Sequence, residues 1–202
     1  IAAATALATK VIIGFRPRYL FMAGIAAGIE GNAGDILIAD ESWDYGSGKI
    51  STDDEGNPVF RFGAKHIQID PGLKEVVAHF CRDRRDLISY IQNSWNGNRS
   101  TDLLTIRIGP FSTGAAVIKH EDTVHRIRGQ DRKLIGFDME AYGVLAAARF
   151  APEPRPKCMI VKSICDFGKP PKTDEWQSYA AHTSTEFIHT FVAECLLHNH
   201  RT

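Results

Sequence analysis

Two short stretches set ionisable side chains where an apolar run stops. "KCMIVKSICD" climbs through residues of the buried type and halts on Asp166, just before Phe167, Gly168, Pro170 and Pro171 break the run. "KLIGFDMEA" halts in the same way on Asp138, Met139 and Glu140. A carboxylate at the lip of a strand can cap a helix or a turn. In a partly dry crevice it can instead keep its proton toward neutral pH and hand it to a leaving group, which is general acid chemistry. Both readings stand for Asp166 on its residues alone. Glu140 can equally be an acid favoured by the positive end of a helix, and Asp138, alternating with it, reads as structural or supporting.

Other reactive types carry less. Cys165 reads as a packed thiol, because no histidine in a partner motif stands nearby. The eight histidines show no H-E-x-x-H or similar metal spacing, and His198 and His200 fall in a tail, "HNHRT", that reads as frayed. The four cysteines lack C-x-x-C spacing. Free thiols in a reducing cytosol fit them better than a disulfide framework.

The elements that must position these acids alternate between helical and strand-like, the pattern of an α/β layer fold. Residues 1–13 predict an Ala-rich helix. Residues 18–24 predict a strand running into a glycine loop, "GIAAGIEGNAGD". Strands follow at 36–42, 58–62, 103–109, 133–139 and 158–166. One long helix is expected from "DPGLKEVVAHFCRDRRDLISYIQNSW", with Leu73, Val76, Val77, Phe80, Leu87 and Ile91 on one face. Further helices are expected from "EAYGVLAAARF" and over 174–197. The polar stretch "DYGSGKISTDDEGNP" reads as a mobile loop. Parallel strands would turn their carboxyl ends toward one crevice, bringing the loop after Gly24, the Asp138–Glu140 end and Asp166 together. Acids at two of these ends make a site with at least two carboxylates.

A chain of 202 residues is sized for one domain. Lys plus Arg and Asp plus Glu balance at 24 each, so no net field recruits nucleic acid or an anionic membrane. No apolar run reaches the roughly 20 residues of a membrane span, and no secretory leader is visible. A cytoplasmic protein without metal or organic cofactor is expected.

Taken in order, "FMAGIAAGIEGNAGDILIAD", "FDMEAYGVLAAA" and "IVKSICDFGK" resemble the purine nucleoside phosphorylase and uridine phosphorylase superfamily. Within it they look most like 5'-methylthioadenosine/S-adenosylhomocysteine nucleosidases. The tail "ICDFGKPPKTDEWQSYAAHTS" resembles members fused to signalling or immune-type proteins. The resemblance implies a twisted, mixed, partly closed β-sheet flanked by helices, and cleavage of the N-glycosidic bond of a purine nucleoside. It also implies a homodimer or larger oligomer. Asp166 then matches the general acid that protonates the purine at N7. Glu140 matches the glutamate that binds ribose hydroxyls, and Met139 the methionine against the sugar, with Phe137 and Asp138 beside them. Ile25, Ala26 and Ala27 match the loop lying along the ribose and the nucleophile. Val117 replaces an aromatic that stacks on the base, a face that Trp176 or Phe167 could supply. The Gly/Pro break after Asp166 becomes a candidate lid.

Phosphorolysis would require fixed cationic donors beside the ribose, and relatives that use phosphate carry an arginine near the glycine loop. None follows Arg18 here, so water is the expected nucleophile and phosphate the alternative. A nucleoside-sensing or effector module within a larger protein is a further alternative. The chain is expected to be a single nucleosidase-like domain over 1–202 that lacks the family's first strands, and with them the glutamate that positions water.

Overall fold

The protein is seen here as a computed structural model that describes residues 1–169 and 174–196. Ala2–Phe15 form helix α1, closed by Arg16 in the left-handed conformation at φ 45°. Strand β1 runs from Tyr19 to Gly28, four residues beyond its expected end. The first glycines of the expected loop therefore lie in a strand, and the reason is space. A Cβ on Gly24 would meet Lys162 Nζ at 2.9 Å, and one on Gly28 would meet Ile164 at 2.5 Å. The chain turns only later, at Gly31 and Gly34, both with positive φ.

Strand β2 (Ile36–Asp44) follows. The stretch expected to be a mobile loop contains a strand, β3 (Gly48–Thr52), which pairs in a hairpin with β4 (Pro58–Phe62), a strand at its expected bounds, in a small sheet of their own. The hairpin turn is held by Asp53, which accepts from the amides of Glu55 and Asn57. After the short strand β5 (Ile67–Gln68), Asp70 caps α2 (Pro71–Asp83) by accepting from the Leu73 amide at 2.8 Å, with Pro71 in the first turn. The single helix expected here is two, broken at Arg84 before α3 (Leu87–Asn93). Leu73, Val77, Phe80, Leu87 and Ile91 are buried as the spacing predicts, whereas Val76 faces outward. Strand β6 (Ile106–Thr113) is followed by α4 (Glu121–Arg128), a short polar helix that the apolar periodicity does not announce. Strand β7 is only Gly136–Asp138. Helix α5 (Ala141–Arg149), strand β8 (Lys157–Asp166) and helix α6 (Gln177–Phe191) complete the chain, with a π-helical turn at Val192–Leu196. Pro170, Pro171 and the "HNHRT" tail lie outside the described residues.

Among the described residues the central sheet has six strands in the order β5-β2-β6-β7-β1-β8, and a further pairing of β2 with β8 closes it into a ring. β2, β6 and β7 run one way while β1 and β8 run the other. The sheet is thus mixed and partly closed, as the resemblance implies. The expectation of one shared carboxyl edge is corrected. Instead, register brings the acids together: Ala27 at the end of β1 lies opposite Phe137 on one side and Asp166 on the other.

Alternation along the strands divides the core. Leu37, Phe111, Ile160 and Ile164 pack with α1 and α5 residues such as Ile12, Leu145 and Ala148. Ile36, Ile38, Met159 and Val161 pack with Leu73, Phe80, Ile91, Phe187 and Phe191 of α2, α3 and α6. Among the described residues no helix is long and apolar enough to cross a membrane.

Candidate active site

The ends of β1, β7 and β8 line a cleft of about 220 Å³. Ile25, Ala26 and Ala27 contribute the β1 wall, from a strand rather than a loop. Phe137, Asp138, Met139 and Glu140 contribute a second wall, and Cys165 and Asp166 a third. Val117, on the segment between β6 and α4, stands at the cleft with 58% of its surface exposed. Trp176 is not brought there: it packs beside Tyr179, ring centroids 6.3 Å apart, against the α2–α3–α6 side of the core. Phe167 packs against the opposite core cluster. Neither aromatic is among the residues that line the cleft.

Asp166 follows the last buried residue of β8, and its Oδ1 accepts from the Gly168 amide at 2.7 Å. The Cys165 thiol donates to its other oxygen at 3.3 Å, and Gly168, at φ 65°, turns the chain back over Phe137. Cap-like contacts are therefore present, and they fix the carboxyl group where it meets the cleft.

Asp138 and Glu140, two residues apart, have different surroundings. The Asp138 side chain is 2% exposed and accepts from Thr113 Oγ1 at 2.9 Å and from the Ala141 amide at 3.1 Å, serving the start of α5. Glu140 is 41% exposed and reaches the cleft. Lys162, itself 3% exposed, bridges them, with Nζ 2.9 Å from Asp138 Oδ2 and 3.1 Å from Glu140 Oε2. Burial alone would draw this ammonium down, but the neighbouring Asp138 and Glu140 charges outweigh it and hold Lys162 above the ordinary lysine value. The lysine passes across the sheet where Gly24 leaves room for it.

Sequence reasoning missed this lysine, yet its signal is plain. A lone cation inside "MIVKSIC" must find acids if the strand is buried, and "FDMEA" carries two. Thr113 at the end of β6 and Gln177 at the first turn of α6 were also missed. Nothing local marks either, since tertiary packing alone places them at the site.

A larger depression, about 700 Å³, opens between α2 and the segment before β7. Of its acids, Asp40 is paired with Lys74 at 2.7 Å and Glu41 lies 3.4 Å from His66, and it shares no residue with the strand-end acids. The smaller cleft carries the convergent chemistry. Among the described residues no group of His, Cys, Asp and Glu side chains comes together as a metal site.

Comparison with known proteins bears on this arrangement. The family described as the phosphorylase superfamily matches residues 1–196. An uncharacterized protein, y4jS, of Sinorhizobium fredii is 33% identical over 184 residues, 90% of this chain and 44% of that protein. The ATP nucleosidase Cap17 of Escherichia coli is 25% identical over 187 residues, 88% of this chain and 36% of that protein. The chain thus spans less than half the length of these curated relatives. Among solved structures, the 5'-methylthioadenosine/S-adenosyl homocysteine nucleosidase of Helicobacter pylori superposes with a TM-score of 0.73 at 16% identity, covering 96% of this chain and 75% of that one. Futalosine hydrolase of the same organism gives 0.73 at 15% identity, with coverage of 96% and 75%. These structures share the fold.

Proposed function

The chain belongs to the phosphorylase superfamily, and on that premise we propose that it hydrolyses the N-glycosidic bond of an adenine nucleoside, with Asp166 as the general acid. The observation that carries the reading is one cleft shared by two differently held carboxylates. Asp166 meets the cleft at the end of β8, and Glu140 is pinned from behind by a buried lysine. Cleaving this bond passes through a sugar with oxocarbenium character, so the enzyme's task is to improve the base as a leaving group. Asp166 donates a proton to N7 of the purine, and the departing base leaves neutral. Glu140, ion-paired with Lys162, accepts from ribose hydroxyls and favours the positive sugar electrostatically. Met139 and the β1 segment Ile25, Ala26 and Ala27 form the apolar floor along the sugar, and Phe137 stands beside the base.

Water is the nucleophile in this reading. No Arg or Lys side chain lines the cleft among the described residues, and the nearest buried cation, Lys162, is already bridged to two acids. A phosphate ion would find no fixed fork there. The names of the relatives favour a 6-aminopurine, with methylthioadenosine, S-adenosylhomocysteine, adenosine and ATP as the substrates to compare.

Chromatographic detection of free base tests the proposal, using these four compounds and inosine, each with and without phosphate. Adenine release independent of phosphate, and lost in Asp166→Asn while ligand still binds, is the expected result. Release that requires phosphate, or that survives Asp166→Asn unchanged, overturns it.

A further inference from the structure

The cleft lining includes a side-chain amide that the mechanism above leaves unused. Gln177, the first residue of α6, is half-buried against the cleft that also holds Asp166. A primary amide can present either pole, because its oxygen accepts and its nitrogen donates. Here the choice is made by Asp174, which lies outside the cleft lining. Gln177 Nε2 donates to Asp174 Oδ1 at 2.6 Å, and the Gln177 backbone amide donates to the Asp174 carbonyl at 3.2 Å. An ionised carboxylate only accepts, so the amide nitrogen must face Asp174. The carbonyl oxygen is left as the pole available to a ligand.

We propose that Gln177, held in one orientation by Asp174, is a specificity-determining residue that presents a fixed acceptor to position 6 of the purine and so selects 6-amino over 6-oxo bases. The inference rests on the purine reading of the cleft and extends it to a selecting residue. The chemistry follows from the purine edge that Asp166 would address. Adenine shows on that edge the N7 acceptor and, beside it, an amine donor at position 6, whereas 6-oxopurines show two acceptors. An acid that protonates N7 serves both kinds of base. A fixed carbonyl acceptor next to it completes a hydrogen bond with the amine and meets a second acceptor on the oxo base. A site that leaves a polar group facing an unmatched partner discriminates more strongly than one that merely lacks a contact. Asp174 acts here as a positioning residue, since it holds the amide from outside the cleft lining.

Equilibrium dialysis of the protein with adenine and with hypoxanthine tests this without needing turnover. The wild type is expected to bind adenine more tightly. Gln177→Ala should lower the adenine preference at least five-fold, roughly the size of one neutral hydrogen bond lost to adenine, with hypoxanthine binding relieved of the facing acceptor as well. Asp174→Ala, an exposed substitution, frees the amide to turn over and should relax the preference through tighter hypoxanthine binding. A structural effect would weaken both bases equally and leave the ratio alone. An unchanged ratio in both variants, a wild type that prefers hypoxanthine, or one that binds neither base overturns the assignment. Selective adenine binding that changes as predicted, in a protein that releases no base from any nucleoside, sustains it and sinks the hydrolase reading instead.

Discussion

Replacing Lys162 by Met removes a cation from between two acids while keeping an unbranched chain of similar length in β8. The two acids respond differently. Glu140 is 41% exposed and can turn toward water, but Asp138 is 2% exposed and cannot. Stranding one buried carboxylate typically costs about 3–5 kcal/mol, far more than an intact pair contributes. Asp138→Asn in the same background removes the stranded charge and leaves an amide oxygen able to accept from Thr113 and Ala141. The double variant should therefore be about 2–3 kcal/mol more stable than Lys162→Met, a strong departure from additivity. Urea unfolding followed by circular dichroism reads this out. At a slope near 3 kcal/mol per M, Lys162→Met should lower the midpoint by roughly 1–2 M, and the second substitution should restore more than half of it. A double variant no more stable than Lys162→Met would refute the argument, because Asp138 would then not depend on the lysine.

Three further outcomes follow from the same geometry. The stability gap between wild type and Lys162→Met should hold at neutral pH and narrow once pH rises past about 10.4. A lysine whose folded value is raised contributes fully below its unfolded value and loses that contribution on passing through the folded one. Gly168→Ala should destabilise by about 1–3 kcal/mol, read by thermal unfolding, since φ there is 65° and the new methyl would lie 2.8 Å from Phe137. Cys158, 5% exposed and pushed up to about 12 by burial, should resist thiol reagents at pH 8 in the folded protein and react once it is unfolded in urea.

How much of this was legible in the sequence depended on whether a residue's reason was local. The β8 run ending on Asp166 and the "FDMEA" end could be read from apolar patterning, because a strand buried on both faces leaves a continuous signal. The β1 boundary could not, since Gly24 and Gly28 read as loop while their cause is Lys162 and Ile164 crossing from the next strand. Strand β3 was hidden by its polarity, because it pairs only with β4, read correctly at 58–62, and not with the core sheet. Trp176 was expected at the cleft on its chemistry alone, and its packing with Tyr179 is a tertiary fact. Lys162 was legible in principle through charge accounting, although neither periodicity nor spacing points to it.

The closing pair of the ring, β8 against both β1 and β2, also dictates an order of events during synthesis. A ribosome delivers β1 and β2 well before β8. Until residue 166 has emerged, β1 lacks the parallel neighbour along which it pairs from Tyr19 to Ala27. The nascent chain must hold two apolar strands with open edges while more than a hundred residues are made, the kind of non-local pairing that slows folding and invites association. The strand that closes the ring is also the strand that ends on Asp166, so ring closure and delivery of the cleft's acid arrive in one step.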